Sequence, residues 1–274
     1  MLRGMYSAVS GLKQHQTKLD VTSNNLANVN TVGYKTARTS FKDQLQQTVY
    51  GGSASGPNTG GTNAAQIGLG VQLASVDAVM TAGSLQATGN PLDIAIQGEG
   101  FFRVATGAPP AAPTQIQYTR AGNFQRNDQG YLTTAEGYYV MGRTTAGGPD
   151  EYIQIPTGAT AVAVGNDGMV TYIPAGGGAR VTAGTLSLAK FPNENGLVRV
   201  SGNRWESNPA SGTELVGLPG GNFGQTIGGT LEMSNVDLAA EFTDMIVAQR
   251  GFQANSRVIS VGDEMLQDLV NLKR

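Results

Sequence analysis

Few residues in this chain have the chemistry for catalysis. His15 is the single histidine, and cysteine is absent. His15 stands between Gln14 and Gln16 in a helical pattern, and no catalytic triad can be built on it. Without cysteine there is no thiolate nucleophile and no thiolate metal site. Glycoside hydrolysis needs two carboxylates converging in a cleft. Asp93 with Glu99 and Asp128 with Glu136 are candidate pairs, but among 20 acidic residues such pairs arise by chance. Gly98-Glu99-Gly100 lacks the G-x-G-x-x-G frame, and neither a P-loop nor an EF-hand spacing occurs. Trp205 and Tyr138-Tyr139 could form a carbohydrate platform, although aromatic residues more commonly fill a core. These residues predict no enzyme, no cofactor and no metal site.

The elements that would have to position such residues carry the stronger signal. Alternating steps of three and four from Leu2 reach Met5, Val9, Leu12, Gln16, Leu19, Ser23 and Leu26. All are apolar except Gln16 and Ser23, which is the a/d spacing of a coiled coil. Ser10, Lys13, Gln14 and Lys18 flank the stripe, and the helix would be about 40 Å long. A second seam runs Leu238, Phe242, Met245, Gln249, Phe252, Ser256, Ile259, Asp263, Leu266 and Val270. Its polar members Gln249, Ser256 and Asp263 are one heptad apart, a pattern that can specify register. Two apolar stripes at opposite ends of one chain need partner surfaces. Burial on each other and on further copies of the chain is the economical solution. The stripe residues Leu2, Met5, Val9, Leu12, Leu19 and Leu26, with Leu238, Phe242, Met245, Phe252, Ile259 and Leu266, are therefore the predicted subunit-interface residues. The two ends are expected to be mobile in the free subunit and ordered on assembly.

Between the helices the pattern changes. The segment 35–70 reads as a short second helix or an extended arm, followed by a Gly-rich loop, Gly51–Gly70. From Val71 short β runs follow one another. Leu92, Ile94 and Ile96 alternate with Asp93, Ala95 and Gln97, and Asn166-Asp167-Gly168 is a hairpin signal. The predicted organisation is an N-terminal helix (1–34), an arm and loop (35–70), a β domain (71–233) and a C-terminal helix (234–274). The fold class is α+β, mainly β. The long terminal helices pack as a coiled-coil-like inner domain beside a Gly-rich all-β middle domain. The chain is long enough, at 274 residues, to bury a sizeable core. Its formal net charge of −2 gives no nucleic-acid or anionic-membrane signal. No apolar run suggests a membrane-spanning helix, and no signal-peptide core is present.

Three stretches resemble one family. Asn24-Asn25-Leu26-Ala27-Asn28-Val29-Asn30-Thr31-Val32-Gly33-Tyr34-Lys35 is similar to the signature of bacterial flagellar rod and hook proteins. LDIAIQGEGFF from Leu92 and YTRAGNFQRNDQGYL from Tyr118 resemble their shared β-domain motif. SNVDLAAEFTDMIVAQRGFQAN from Ser234 resembles their C-terminal helix motif. The matching positions include Asn24, Asn25, Ala27, Asn28, Thr31, Gly33 and Lys35, with Ser234, Asn235, Gln249 and Arg250.

The resemblance implies an axial subunit of the flagellum whose terminal helices pack into a hollow tube that transmits motor torque. It implies a helical homopolymer, in contact with other axial proteins such as the rod, hook cap and hook–filament junction. It also implies export by the flagellar type III apparatus without a cleaved signal. The ending VNLKR and the SNVDL segment look like a compact hook protein. The longer segment Gln46–Gln66 looks like an insert of the distal rod, which is the alternative. A secreted β-rich binding module is a remote third reading.

Overall fold

The computed structural model describes residues 2–54, 56, 60–107, 109, 113–144 and 148–272, and for Leu2 the backbone alone. The Leu2 side chain, part of the Gly51–Gly70 loop (55 and 57–59), and Lys273 and Arg274 lie outside the described residues. The chain divides into two compact units, one of residues 1–27, 37–78 and 237–274 and the other of residues 28–36 and 79–236.

The first unit holds two long helices, α1 (Leu2–Ala27) and α2 (Leu238–Asn271). Asp237 caps α2, its carboxylate accepting from the backbone N–H groups of Ala239 and Ala240 at 2.9 and 3.3 Å. That satisfies donors which a helix start leaves unpaired. The same unit carries a long β-hairpin. Its base pairs β1 (Ala37–Asp43) with β4 (Val71–Ala78), and its outer part pairs β2 (Gln46–Tyr50) with β3 (Ala65–Gly68). The strand beginning at Val71 is legible in the sequence. The strands β1 to β3 are not, because the hairpin is largely exposed and no apolar alternation marks a buried face. The hydroxyls of Ser40 and Ser75 bond across the base at 2.7 Å, beside a register shift between Ser40 and Phe41.

The second unit is β-rich. Its main antiparallel sheet runs in the order 160–164, 169–173, 181–186, 139–143, 101–106, 115–119, 204–206 and 198–200. The core gathers Ile94, Phe102, Phe124, Ile153, Val170 and Leu186, each 1% exposed or less. The turn at Asn166-Asp167-Gly168 joins two paired strands, with Gly168 at φ 76°. One strand departs from its predicted pattern. Ile94, Ala95 and Ile96 are all buried, so the alternation read there does not separate a wet face from a dry one. Trp205 is also buried, with the Arg199 guanidinium 4.8 Å from its ring centre, so it offers no open stacking face.

Candidate assembly interface

Helices α1 and α2 pair antiparallel. Proceeding along α1, the space above Gly11 is filled by the Asn255 side chain, 2.9 Å from where a Cβ would lie, and Lys18 Nζ meets Asp244 Oδ1 at 2.8 Å. Asn25 Nδ2 donates to Glu241 Oε1 at 3.0 Å, while at the other end Met5 covers Gly262. Asn25 also holds the start of β1, donating to the Ala37 carbonyl at 2.8 Å and accepting from its N–H at 3.0 Å. A side-chain amide here takes the place of a neighbouring strand.

The seam between the helices follows a different line from the one read by apolarity. On α1 the covered residues are Met5, Ala8, Leu12, His15, Leu19, Thr22 and Leu26, with Ala8, Thr22 and Asn25 fully buried. Val9, Gln16 and Ser23 face outward. On α2 the covered line is Met245, Ala248, Phe252, Asn255, Ile259, Gly262 and Leu266; Gln249, Ser256 and Asp263 are exposed. In both helices one heptad position is as predicted and the other is displaced by one residue, onto small or polar side chains. Large residues alternating with Ala, Gly and Asn let the backbones approach closely, as Asn255 over Gly11 and Met5 over Gly262 show.

The predicted interface residues therefore fall into two sets. Met5, Leu12, Leu19 and Leu26 are half-buried, as are Met245, Phe252, Ile259 and Leu266. Val9, Leu238 and Phe242 are exposed. The exposed set includes Ile246, Val258, Met265 and Leu269, which by sequence widen the α2 stripe. Val247, Ala254, Val258, Val261, Met265 and Leu269 form a row roughly 100° around α2 from the seam. Val258 is 50% exposed, Met265 46% and Leu269 50%. A sustained apolar row on one helix face marks an interaction surface more than scattered single residues do.

Several of the motif residues have structural partners. Asn24, Ala27, Gln249 and Arg250 are exposed on the helices. In the β-rich unit, Thr31 Oγ1 donates to Asn28 Oδ1 at 3.1 Å. Gly33 adopts φ 67°, and a Cβ there would lie 2.6 Å from the Ala121 backbone nitrogen, so the position needs glycine. Lys35 is 1% exposed, and its Nζ is 2.6 Å from Glu232 Oε1, itself fully buried. Burial holds the Lys35 ammonium below the usual lysine range, with Glu232 opposing that shift. Arg120 reaches Glu232 Oε2 at 3.3 Å from the other side. Ser234 accepts from the Val236 N–H at 3.3 Å. Asn235 accepts from the Thr36 N–H and donates to the Val79 carbonyl, both at 2.8 Å. Glu232 and Arg120 were not singled out from sequence. Arg120 lies within the YTRAGNFQRNDQGYL motif, but nothing local links it to Glu232 far along the chain.

The carboxylates considered for catalysis are committed elsewhere. Asp93 accepts from Thr88 at 2.6 Å and Asn90 at 3.2 Å, Glu136 pairs with Arg204 at 2.8 Å, and exposed Glu99 pairs with Lys190. Among the described residues no group of three His, Asp or Glu side chains is placed to hold a metal ion. No helix among them is long and apolar enough to cross a membrane.

Against this geometry, comparison with known proteins is decisive. The profile "Flagella basal body rod protein" matches residues 5–35, "Flagellar hook protein FlgE/F/G D1 domain" matches 95–172, and "Flagellar basal body rod FlgEFG protein C-terminal" matches 227–272. Flagellar basal-body rod protein FlgG of Bacillus subtilis (strain 168) is 48% identical over 276 residues, covering 100% of both chains. The chain belongs to the flagellar rod and hook family. Another member, FlgG of Agrobacterium fabrum, is 39% identical over 96% of this chain and 97% of its own. The flagellar hook protein FlgE of Borreliella burgdorferi is 25% identical over an alignment of 448 residues. As a member of this rod and hook family the chain is a structural component of the bacterial flagellum. The paired terminal helices are what the first and third profiles cover.

Proposed function

We propose that the chain is a distal-rod subunit of the flagellar basal body, polymerising into a straight hollow shaft that passes motor torque outward. The rod reading is preferred to the hook reading suggested by VNLKR and SNVDL. Rod relatives match end to end at up to 48% identity, whereas the hook relative requires an alignment of 448 residues against a chain of 274. The observation that carries polymerisation is the outward row Val258, Val261, Met265 and Leu269, which α1 leaves uncovered. Covering each of these side chains from half-exposed contributes on the order of 1 kcal/mol. A contact between unlike patches on identical chains, repeated without closing, yields a helical fibre. The predicted stripe residues would form the wall of such a tube. The partners are further copies of the chain and other axial proteins above and below it, reached by export through the flagellar type III apparatus.

The test is assembly of the purified chain, followed by sedimentation and electron microscopy at rising concentration. Wild type is expected to form straight tubes. Val258→Asp with Met265→Asp is expected to remain monomeric with an unchanged helical circular-dichroism melt. Curved tubes would return the hook reading; a permanent monomer would remove the axial reading altogether.

A further inference from the structure

The β-rich unit is entered and left by the chain at residues 28, 36, 79 and 236, and the segments carrying these crossings meet at one point. Asn235, next to the last crossing, binds the Thr36 N–H at 2.8 Å, the Val79 carbonyl at 2.8 Å and the Thr81 carbonyl at 3.1 Å. The Val79 N–H donates to the Thr36 carbonyl at 2.8 Å. Beneath this amide lies Glu232. Its carboxylate takes Lys35 Nζ at 2.6 Å, the Gly83 N–H at 3.0 Å and Arg120 at 3.3 Å, and its backbone carbonyl takes the Gly33 N–H at 2.8 Å. Lys35 Nζ donates a second bond to the Thr81 carbonyl at 2.8 Å. The Arg199 guanidinium bonds the Lys35 carbonyl and lies between Tyr34 and Trp205.

We infer that Asn235 and the buried Lys35–Glu232–Arg120 cluster are a mechanical hub, the point at which force carried along the chain crossings is received by the β-rich unit. The physical reason is the bond geometry. Neighbouring crossings are tied to each other before they are tied to the sheet, so a pull on one is shared by the others. A surface-exposed set of hydrogen bonds would exchange with water under load; here the charged cluster is enclosed, with Lys35, Glu232 and Arg120 all buried, and the part-buried Asn235 sits at its edge. Arg120 anchors the cluster to the body of the unit by donating to the Gly98 carbonyl at 2.9 Å. The purpose of such a hub rests on the drive-shaft reading, but its strength is a property of the single chain.

Absence of cysteine makes the measurement direct, since attachment points can be introduced singly. Asp167→Cys and Asp263→Cys, both exposed, allow the full-length monomer to be pulled between its β-rich unit and α2. Asn235→Ala is expected to lower the first rupture force by roughly a third or more, since bonds to three backbone groups are removed together. Val170→Ala, in the core and away from the hub, is expected to lower the urea midpoint read from Trp205 fluorescence while leaving that first rupture unchanged. If Asn235→Ala does not fold, Lys35→Met reads the same event. Equal rupture forces in wild type and the hub variant, or an equal loss with Val170→Ala, overturn the hub. Polymerisation is scored separately, so a failure of the axial reading is not mistaken for a failure of this one.

Discussion

Gly251 of α2 lies against the face of the His15 imidazole of α1, so closely that a methyl group at 251 would collide with the ring. The helix interior would otherwise favour alanine over glycine by about 1 kcal/mol. Overpacking a seam of this kind costs about 1–3 kcal/mol. Gly251→Ala is therefore expected to lower the stability of the helical pair, despite its better propensity. Gly4 is the matched control, with nothing within 4 Å of its would-be Cβ, and Gly4→Ala should stabilise by about 0.5–1 kcal/mol. Thermal melts at 222 nm moving in opposite directions for the two variants would bear this out; a shared direction would not.

The same contact explains how far the sequence could be read. Large apolar residues repeat every seven positions in both helices, and Met5, Leu12, Leu19 and Leu26 do lie toward the seam, as do Met245, Phe252, Ile259 and Leu266. The second line of each seam is Ala8, His15 and Thr22 on α1, and Ala248, Asn255 and Gly262 on α2. Heptad counting from the large apolar residues assigns those places to Val9, Gln16 and Ser23, or to Gln249, Ser256 and Asp263. Close packing selects for small volume as well as apolarity, and a count of apolar residues cannot see volume. The β runs from Ile94 onward were legible because one or both faces are buried; Val71–Ala78 was legible from Val71, Leu73 and Val76 alone, since none of its residues is fully buried. The hairpin strands Ala37–Asp43 and Ala65–Gly68 were not, having neither a buried face nor a strong propensity signal. The hub was legible only as motif residues, Lys35 and Asn235, without the partners that give them meaning.

Within the buried cluster, charge counting ranks the substitutions. Glu232 is the anion shared by Lys35 and Arg120. Glu232→Leu leaves two enclosed cations without their carboxylate, and breaking such a pair costs about 3–5 kcal/mol. Lys35→Met leaves Glu232 still paired with Arg120, so its cost should be clearly smaller. Urea unfolding followed at Trp205 is expected to give midpoints in the order wild type, Lys35→Met, Glu232→Leu. The reverse order of the two variants would mean that Arg120 does not share the carboxylate.

Gly33 tests the backbone at the same place. Its φ of 67° and the Ala121 nitrogen 2.6 Å from a would-be Cβ leave an added methyl nowhere to go. Gly33→Ala combines a left-handed conformation with a backbone clash, each of order 1–2 kcal/mol. The expected result is faster exchange of the Gly33 amide, whose partner is the Glu232 carbonyl at 2.8 Å. Unchanged protection at this amide would show that the turn tolerates a side chain.

Glu194 supplies the pH dependence. It is half-buried, and loss of solvent raises its carboxyl above the ordinary range, opposed by the positive charges of Arg120, Lys190 and Lys35. The folded chain thus binds this proton more tightly than the unfolded chain does. The stabilising contribution is complete below the unfolded value and is lost as pH rises through the folded one. Glu194→Gln removes the titration. Relative to that variant, wild type should lose stability between mildly acid and neutral pH. The loss should be small, because solvent screens a half-exposed group. Paired urea titrations at pH 4.5 and 7 measure the difference. A gap that stays constant, or wild type gaining on the variant as pH rises, would show that the neighbouring cations outweigh the burial of Glu194.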